Sequence, residues 1–187
     1  MTFSVVARCE DTGMFGVAVS SSSPAVAARC AYAQASIGAV ASQNVTDPRL
    51  GPQTLQLMAL GCSAQSAIAV IAATASAPAY RQVLAVDAHG QSAVHSGAEA
   101  LGIWTSAKAT NVACGGNMLA NADVPARMVD AFSNTKGHLG DRLLGVMRAA
   151  LSAGGEAGPV HSAGMKLVRE VDWPVADLRI DWSNNCP

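Results

Sequence analysis

The order of strand-like and helix-like segments predicts a mixed α+β fold, with two sheets packed face to face and helices outside them. Three observations lead there. Strand patterns cluster at both ends of the chain, helical patterns come in blocks of two, and many strands are apolar on both faces, as layers covered twice must be. Half of the 187 residues are hydrophobic and 13% are charged, which calls for a large core, an oligomer interface, or both. The length suits one domain over 1–187, without internal repeat, low-complexity segment or linker.

Thr2 to Arg8 reads as the first strand, with Phe3, Val5 and Ala7 on one face and Thr2, Ser4 and Val6 on the other. Glu10-Asp11-Thr12-Gly13 supplies turn chemistry, and Met14 to Ser20 returns as a hairpin partner. Ser20 to Ser23 could hold a nucleophile but with Pro24 more commonly form a polar break, after which Ala25 to Gln34 suits a short helix or a packed crossing segment. Ile37 to Ser42 is a buried strand, followed by a polar, turn-rich loop from Gln43 to Gly51, a natural position for site groups.

Pro52 suits the start of a helix carrying Leu55, Met58 and Leu60, which Gly61 breaks. Ser63 caps a second helix with Ala67, Ile68 and Ile71 on one face. Val83 to Val86 and Ser92 to His95 pair across Asp87-Ala88-His89-Gly90. Asn111 to Cys114 runs into Gly115-Gly116-Asn117. Two helices follow, one with Val124, Met128 and Phe132 on its stripe, the next with Leu139, Leu143, Met147 and Leu151. Ala163 to Val168 and Ala176 to Ile180 finish the chain as strands about Asp172-Trp173-Pro174.

The composition excludes several classes. A net charge of -1 without a basic stripe leaves no footprint for nucleic acid. No apolar run is long enough for a membrane span, and no signal-peptide pattern opens the chain. The five scattered cysteines read as reduced thiols, and the location expected is cytoplasmic. The four histidines lack metal-ligand spacing, so no metal and no cofactor is expected. The S-x-x-K spacing of Ser133 to Lys136 stands without its companion motifs, and no G-x-S-x-G, G-x-G-x-x-G or P-loop occurs. The expected partners are a small-molecule substrate and further copies of the chain, a homo-oligomer that buries apolar helix faces.

The chemistry points to Thr2. If Met1 is removed, a hydroxyl and a free α-amine share one residue at the start of a strand. The α-amine titrates at roughly 7.7–8.0, so part of it is a free base near neutral pH. Threonine served by its own terminal amine is a recognised activated nucleophile.

Much of the chain resembles a known family. The matching segments are Thr2 to Arg8, Thr12-Gly13 with Gly16 to Val19, Gly38 to Gln43, Gly51-Pro52, Arg81-Gln82, Gly116 to Ala120, Arg142 to Leu144, Gly154-Gly155 and Asp177 to Asp181. In these the chain is similar to domain of unknown function 1028, grouped with the N-terminal-nucleophile (Ntn) hydrolases. The opening strand and hairpin also resemble those of bacterial proteasome-like peptidases. The resemblance implies a four-layer αββα sandwich, in agreement with the layer argument, and implies that Thr2 is the nucleophile. The chain departs from the family where Asp-Arg and Gln-Ser are expected, reading Glu156-Ala157-Gly158-Pro159 and His161-Ser162.

The expected activity is cleavage of a C–N bond in a small linear or cyclic amide. The alternative is a non-catalytic Ntn-like protein that binds a ligand or forms an assembly. Gly115-Gly116-Asn117 can offer backbone N–H groups and a side-chain amide to an oxyanion, or can be a tight turn. Arg81 can clamp a substrate carboxylate or pair with Asp87. Glu156 and His161 can orient the amine or the substrate, or serve structure alone.

Overall fold

The computed structural model describes residues 1–171 and 173–187, so Asp172, at the centre of one expected turn, lies outside the described residues. The chain is mixed α+β, with ten strands in two antiparallel sheets and five α-helices among the described residues. The first hairpin is β1 (Thr2–Arg8) and β2 (Phe15–Ser21), paired from Phe3–Ser20 to Arg8–Phe15. A single helical turn, α1 (Ala27–Cys30), leads straight into a short strand, β3 (Ala31–Gln34). The segment expected as helix or crossing is therefore part of each.

β4 (Gly38–Asn44) continues two residues beyond the expected end, so Gln43 is a buried strand residue instead of a loop residue. α2 (Leu50–Ala59) starts two residues before Pro52, and Leu60 ends outside it with 78% of its surface exposed. In α3 (Ala64–Thr74) the Ser63 hydroxyl accepts the Ser66 N–H at 3.1 Å, the N-cap expected. β5 (Arg81–Asp87) and β6 (Ser92–Ser96) form the second hairpin.

β7 (Thr105–Ala109) was not foreseen. Its Thr-Ser-Ala-Lys-Ala has no large apolar side chain to mark a face, which an edge strand can do without. β8 (Val112–Asn117) carries the double glycine inside the strand, between β1 and β7. The remaining elements are α4 (Val124–Ser133), α5 (Leu139–Ser152), β9 (Ser162–Val168) and β10 (Ala176–Ile180).

The larger sheet has the order β10-β9-β2-β1-β8-β7 and the smaller β3-β4-β5-β6. Three apolar clusters tie them together. Phe3, Val5, Ala7 and Cys114 pack under α4 and α5 against Met128, Phe132, Leu139 and Leu143. Val6, Val17 and Val19 of the larger sheet meet Ala39, Ala41, Leu84 and Val86 of the smaller. Val40, Val83 and Ala85 meet Leu55, Met58, Ile68 and Ile71 of α2 and α3. Each fully buried branched side chain contributes about 1.5–3 kcal/mol, so the alternation of these strands is strongly enforced. The split of β1 into Phe3/Val5/Ala7 and Thr2/Ser4/Val6 is the one expected. Among the described residues, no helix is long and apolar enough to cross a membrane.

The α5 stripe differs from expectation in a way that follows from helix geometry. Its buried residues are Leu139, Leu143, Val146 and Ala150, while Leu151 is 40% exposed. A spacing of four overshoots a turn of 3.6 residues, so a strict i+4 row winds off the core face. Met147 and Leu151 consequently line an apolar groove of about 350 Å³ shared with Met165, Leu178 and Ile180.

Candidate active site

Alternation fixes what meets between the sheets. Val6, Val17, Ala113, Ala41 and Leu84 face the gap, so by parity do Thr2 and Ser4 of β1, Ser21 of β2, Gly115 and Asn117 of β8, Gln43 of β4 and Gln82 of β5. The layer is apolar along most of its length and turns polar at one end. The register aligns that end: Thr2 lies opposite Asn117, and Ser21 opposite Ser162 on the far side of β2. Thr2, Ser21, Gln43, Gln82 and Asn117 are all at most 5% exposed.

The hydrogen bonds make these residues one network. The Thr2 and Ser21 hydroxyls lie 3.2 Å apart, and both donate to the Met1 carbonyl oxygen. Ser21 Oγ is also 2.8 Å from Ser23 Oγ, which accepts from the Arg29 guanidinium at 2.7 Å. The loop after β2 is pinned from β9: the Ser162 hydroxyl donates to the Ser23 carbonyl at 2.6 Å and accepts the Val26 N–H at 3.2 Å. Across the gap, Gln82 Oε1 accepts from Gln43 Nε2 at 2.8 Å and from Asn117 Nδ2 at 3.3 Å. Gln82 Nε2 donates to the Gly116 carbonyl at 3.2 Å and to Ser96 Oγ at 3.0 Å.

Glu156 enters from the loop after α5, where it bridges to Leu119, and is 5% exposed. The Ser22 N–H lies 3.1 and 3.2 Å from its two carboxylate oxygens. Burial pushes its carboxyl up to about 7, against the opposing pull of the Met1 amine, the Ser22 N–H and His161. The Met1 side chain reaches the same loop, close to Gly158. His161 stacks on Trp182 at 4.3 Å between ring centroids, and its Nδ1 donates to the Ser183 carbonyl at 2.8 Å.

The expected site residues therefore do not all converge. Thr2 and Asn117 are neighbours in register, and Glu156 lies beside Ser22 and within range of the Met1 amine. Gly116 lies within β8 between Phe3 and Thr105, where an added Cβ would meet Leu119 Cδ2 at 2.5 Å, so its lack of a side chain serves packing. Arg81 commits its guanidinium to the Ser76 and Val45 carbonyls, the first at 3.0 Å. It does not pair with Asp87, whose carboxylate accepts the N–H groups of Ala64, His89 and Gln91 at 2.8–3.0 Å. Ser21 was expected chiefly in a polar break and Gln43 at the start of a loop, and Gln82 was not singled out as a site residue. The parity of their strands was the available signal, once the strands were extended to their true ends. Among the described residues, no three His, Cys, Asp or Glu side chains gather as a metal-ligand group.

The family described as "Family of unknown function (DUF1028)" matches residues 2–187. The crystal structure of protein SPO2555 from Silicibacter pomeroyi, a DUF1028 protein, superimposes with a TM-score of 0.91 at 29% identity, over 98% of this chain and 82% of that one. No curated protein matches the chain.

Proposed function

The chain belongs to the DUF1028 family, and we propose that it is an N-terminal-nucleophile amide hydrolase in which Thr2, once Met1 is removed, cleaves a small linear or cyclic amide. We read the two sheets and their flanking helices as the αββα sandwich of that class. The observation that carries the proposal is the row at the sheet end: the Thr2 hydroxyl, a second hydroxyl from Ser21 at 3.2 Å, and the Asn117 amide opposite Thr2 in register. The Met1 carbonyl, an acyl oxygen bonded through carbon to the Thr2 nitrogen, already accepts from the Ser21 hydroxyl. Ser21 is thus suited to hold a substrate acyl oxygen beside the nucleophile.

In this mechanism Thr2 Oγ1 attacks the amide carbon while its proton passes to the free α-amine of the same residue. Ser21 Oγ and the Asn117 Nδ2 hydrogen that Gln82 does not take up stabilise the oxyanion. The C–N bond breaks as the ammonium returns the proton to the leaving nitrogen. Water, deprotonated by the same amine, then attacks the ester and releases the acid. Glu156 is a positioning residue whose buried carboxyl orients the Thr2 α-amine beside Oγ1. Arg81 and Gly116 have no part in it, because the one holds loop carbonyls and the other packs on Leu119. His161 contacts substrate only through its free Nε2.

Intact-mass spectrometry of protein made in its own host should show Met1 absent. Full retention there overturns the reading, since an acylated amine cannot act as base. A screen of amides, imides and ureido compounds should find turnover lost in Thr2→Ala and partly kept in Thr2→Ser. Equal turnover by Thr2→Ala would favour the non-catalytic or another-nucleophile reading.

A further inference from the structure

β10 is an edge strand with almost nothing on it. It rests on β9, and among the described residues neither the helices nor the smaller sheet packs closely against it. Four of its five residues are exposed, including Leu178 at 60% and Ile180 at 43%. The flanking residues are no better covered: Trp173 is 70% exposed, Val175 55% and Trp182 54%. Taking 150–250 Å² for a large aromatic side chain, these five residues leave on the order of 500 Å² of apolar surface in water. Edge strands that stay single are usually blunted by lysine, proline or a bulge. The other edge of the same sheet, β7, carries Lys108. β10 carries one charge of each sign, Asp177 and Arg179, on an otherwise apolar strand.

We infer that β10 is the seam of a two-fold dimer, in which it pairs antiparallel with β10 of a second copy of this chain, centred on Leu178. Charge selects the occupant and the register. In an antiparallel pair about a two-fold axis normal to the sheet, residue i faces residue j when their numbers sum to twice the central one. Centring on Asp177 or Arg179 sets that charge against its own copy. Centring on Leu178 sets Asp177 against the second copy's Arg179, twice, and overlaps the whole strand. Centring on Ile180 also pairs opposite charges, Arg179 with Asp181, but leaves much of each strand unpaired. Only a second copy offers this sequence in reverse order.

The remaining geometry agrees. Leu178 and Ile180 lie on the face of the sheet that carries Met165 and Leu167, beside the groove under α5. Pairing about Leu178 brings Pro174 opposite Trp182 of the second copy and extends that apolar floor across the seam. Trp182 is the residue stacked on His161, so the seam reaches the edge of the candidate site. The six strands of each copy become one continuous sheet. The apolar patch alone is on the order of 500 Å², against the roughly 800 Å² per partner of a standard interface. The inference is independent of the proposed hydrolysis.

Light scattering and sedimentation velocity on the full chain should find a dimer at micromolar concentration. Asp177→Arg and Arg179→Asp should each weaken it tenfold or more. The double exchange, Asp177→Arg with Arg179→Asp, restores opposite charges across the axis and should restore the dimer. The charge pairs lost within one copy, Lys166–Asp177 at 3.1 Å and Arg179–Asp181 at 2.8 Å, are solvent-accessible, so the fold should survive, which thermal melts check. As a second readout, Leu178→Cys in a Cys62→Ser/Cys186→Ser background should cross-link copy to copy on mild oxidation, because residues opposite one another in a ladder lie within disulfide reach. A monomeric wild type, a dimer indifferent to both single changes, or failure of both rescue and cross-link would overturn the inference.

Discussion

Replacing Glu156 by glutamine tests the buried carboxyl directly. Its folded value is raised from 4.5 to about 7, chiefly by burial. Below 4.5 the group is protonated whether the chain is folded or not, and the folded state bears no penalty. As pH rises through 4.5 the unfolded chain ionises first, so the folded state loses stability steadily until about pH 7, where it ionises too. At 1.36 kcal/mol for each pH unit between the two values, the loss is on the order of 3 kcal/mol. Glutamine keeps an oxygen for the Ser22 N–H and cannot ionise, so Glu156→Gln should match wild type near pH 4 and exceed it by about that amount at pH 8. For a chain of this length that is a rise of roughly 6–12 °C in Tm. Urea denaturation at steps from pH 4 to pH 9, with Met1 retained in both proteins, reads the slope. An unchanged slope between pH 4.5 and 7 in Glu156→Gln, or a variant less stable than wild type at pH 8, would refute the assignment of that titration to Glu156.

Other changes test the site and the packing. Asn117→Ala and Ser21→Ala should each lower kcat by roughly a hundredfold or more if they hold the oxyanion, measured on whatever amide the screen yields; a loss in KM alone would reassign them to ground-state binding. Gly51→Ala should destabilise by more than about 3 kcal/mol, because a Cβ there would lie 2.1 Å from the Tyr32 ring; an unchanged urea midpoint would mean that α2 can shift away from β3.

What could be read from the sequence was what repeats locally. The alternation of β1 and the stripes of α3 and α4 declare themselves within a few neighbours, and the structure agrees at Phe3, Val5 and Ala7, at Ile68 and Ile71, and at Met128 and Phe132. Thr2 stood out as a candidate because the proposed chemistry needs only its own amine. β7 was not, since Thr-Ser-Ala-Lys-Ala alternates small with polar and never large with polar. Two of the residues around Thr2 were hidden for another reason. Ser21 is brought to it by the pairing of β1 with β2, and Gln82 by the packing of the smaller sheet on the larger, and register shows locally only where one face is wholly apolar. Serines at the end of a strand look like a break, and a glutamine after Ala-Ser looks like the start of a loop.

The polar end of the inter-sheet layer also says where stability has been given up. Val6, Val17, Ala41 and Leu84 fill the gap with groups that need no partner, and the same packing could continue to the sheet end. Instead the layer closes on two buried glutamines, a buried asparagine and two buried hydroxyls. Among the described residues, Ser4 Oγ and Gln43 Oε1 find no hydrogen-bond partner. Each such atom costs about 1–3 kcal/mol, against a total stability of only about 5–15 kcal/mol for a typical domain. A local rule broken without structural gain marks the place where a chain does something other than fold. Here the break coincides with the one residue whose hydroxyl can share a free terminal amine. Gln82 bonds both Gln43 and Asn117, so the network that costs stability is the same one that holds the Asn117 amide rigid beside Thr2. Rigid donors placed before the charge develops are what acyl transfer requires, and mobile ones would forfeit most of their effect.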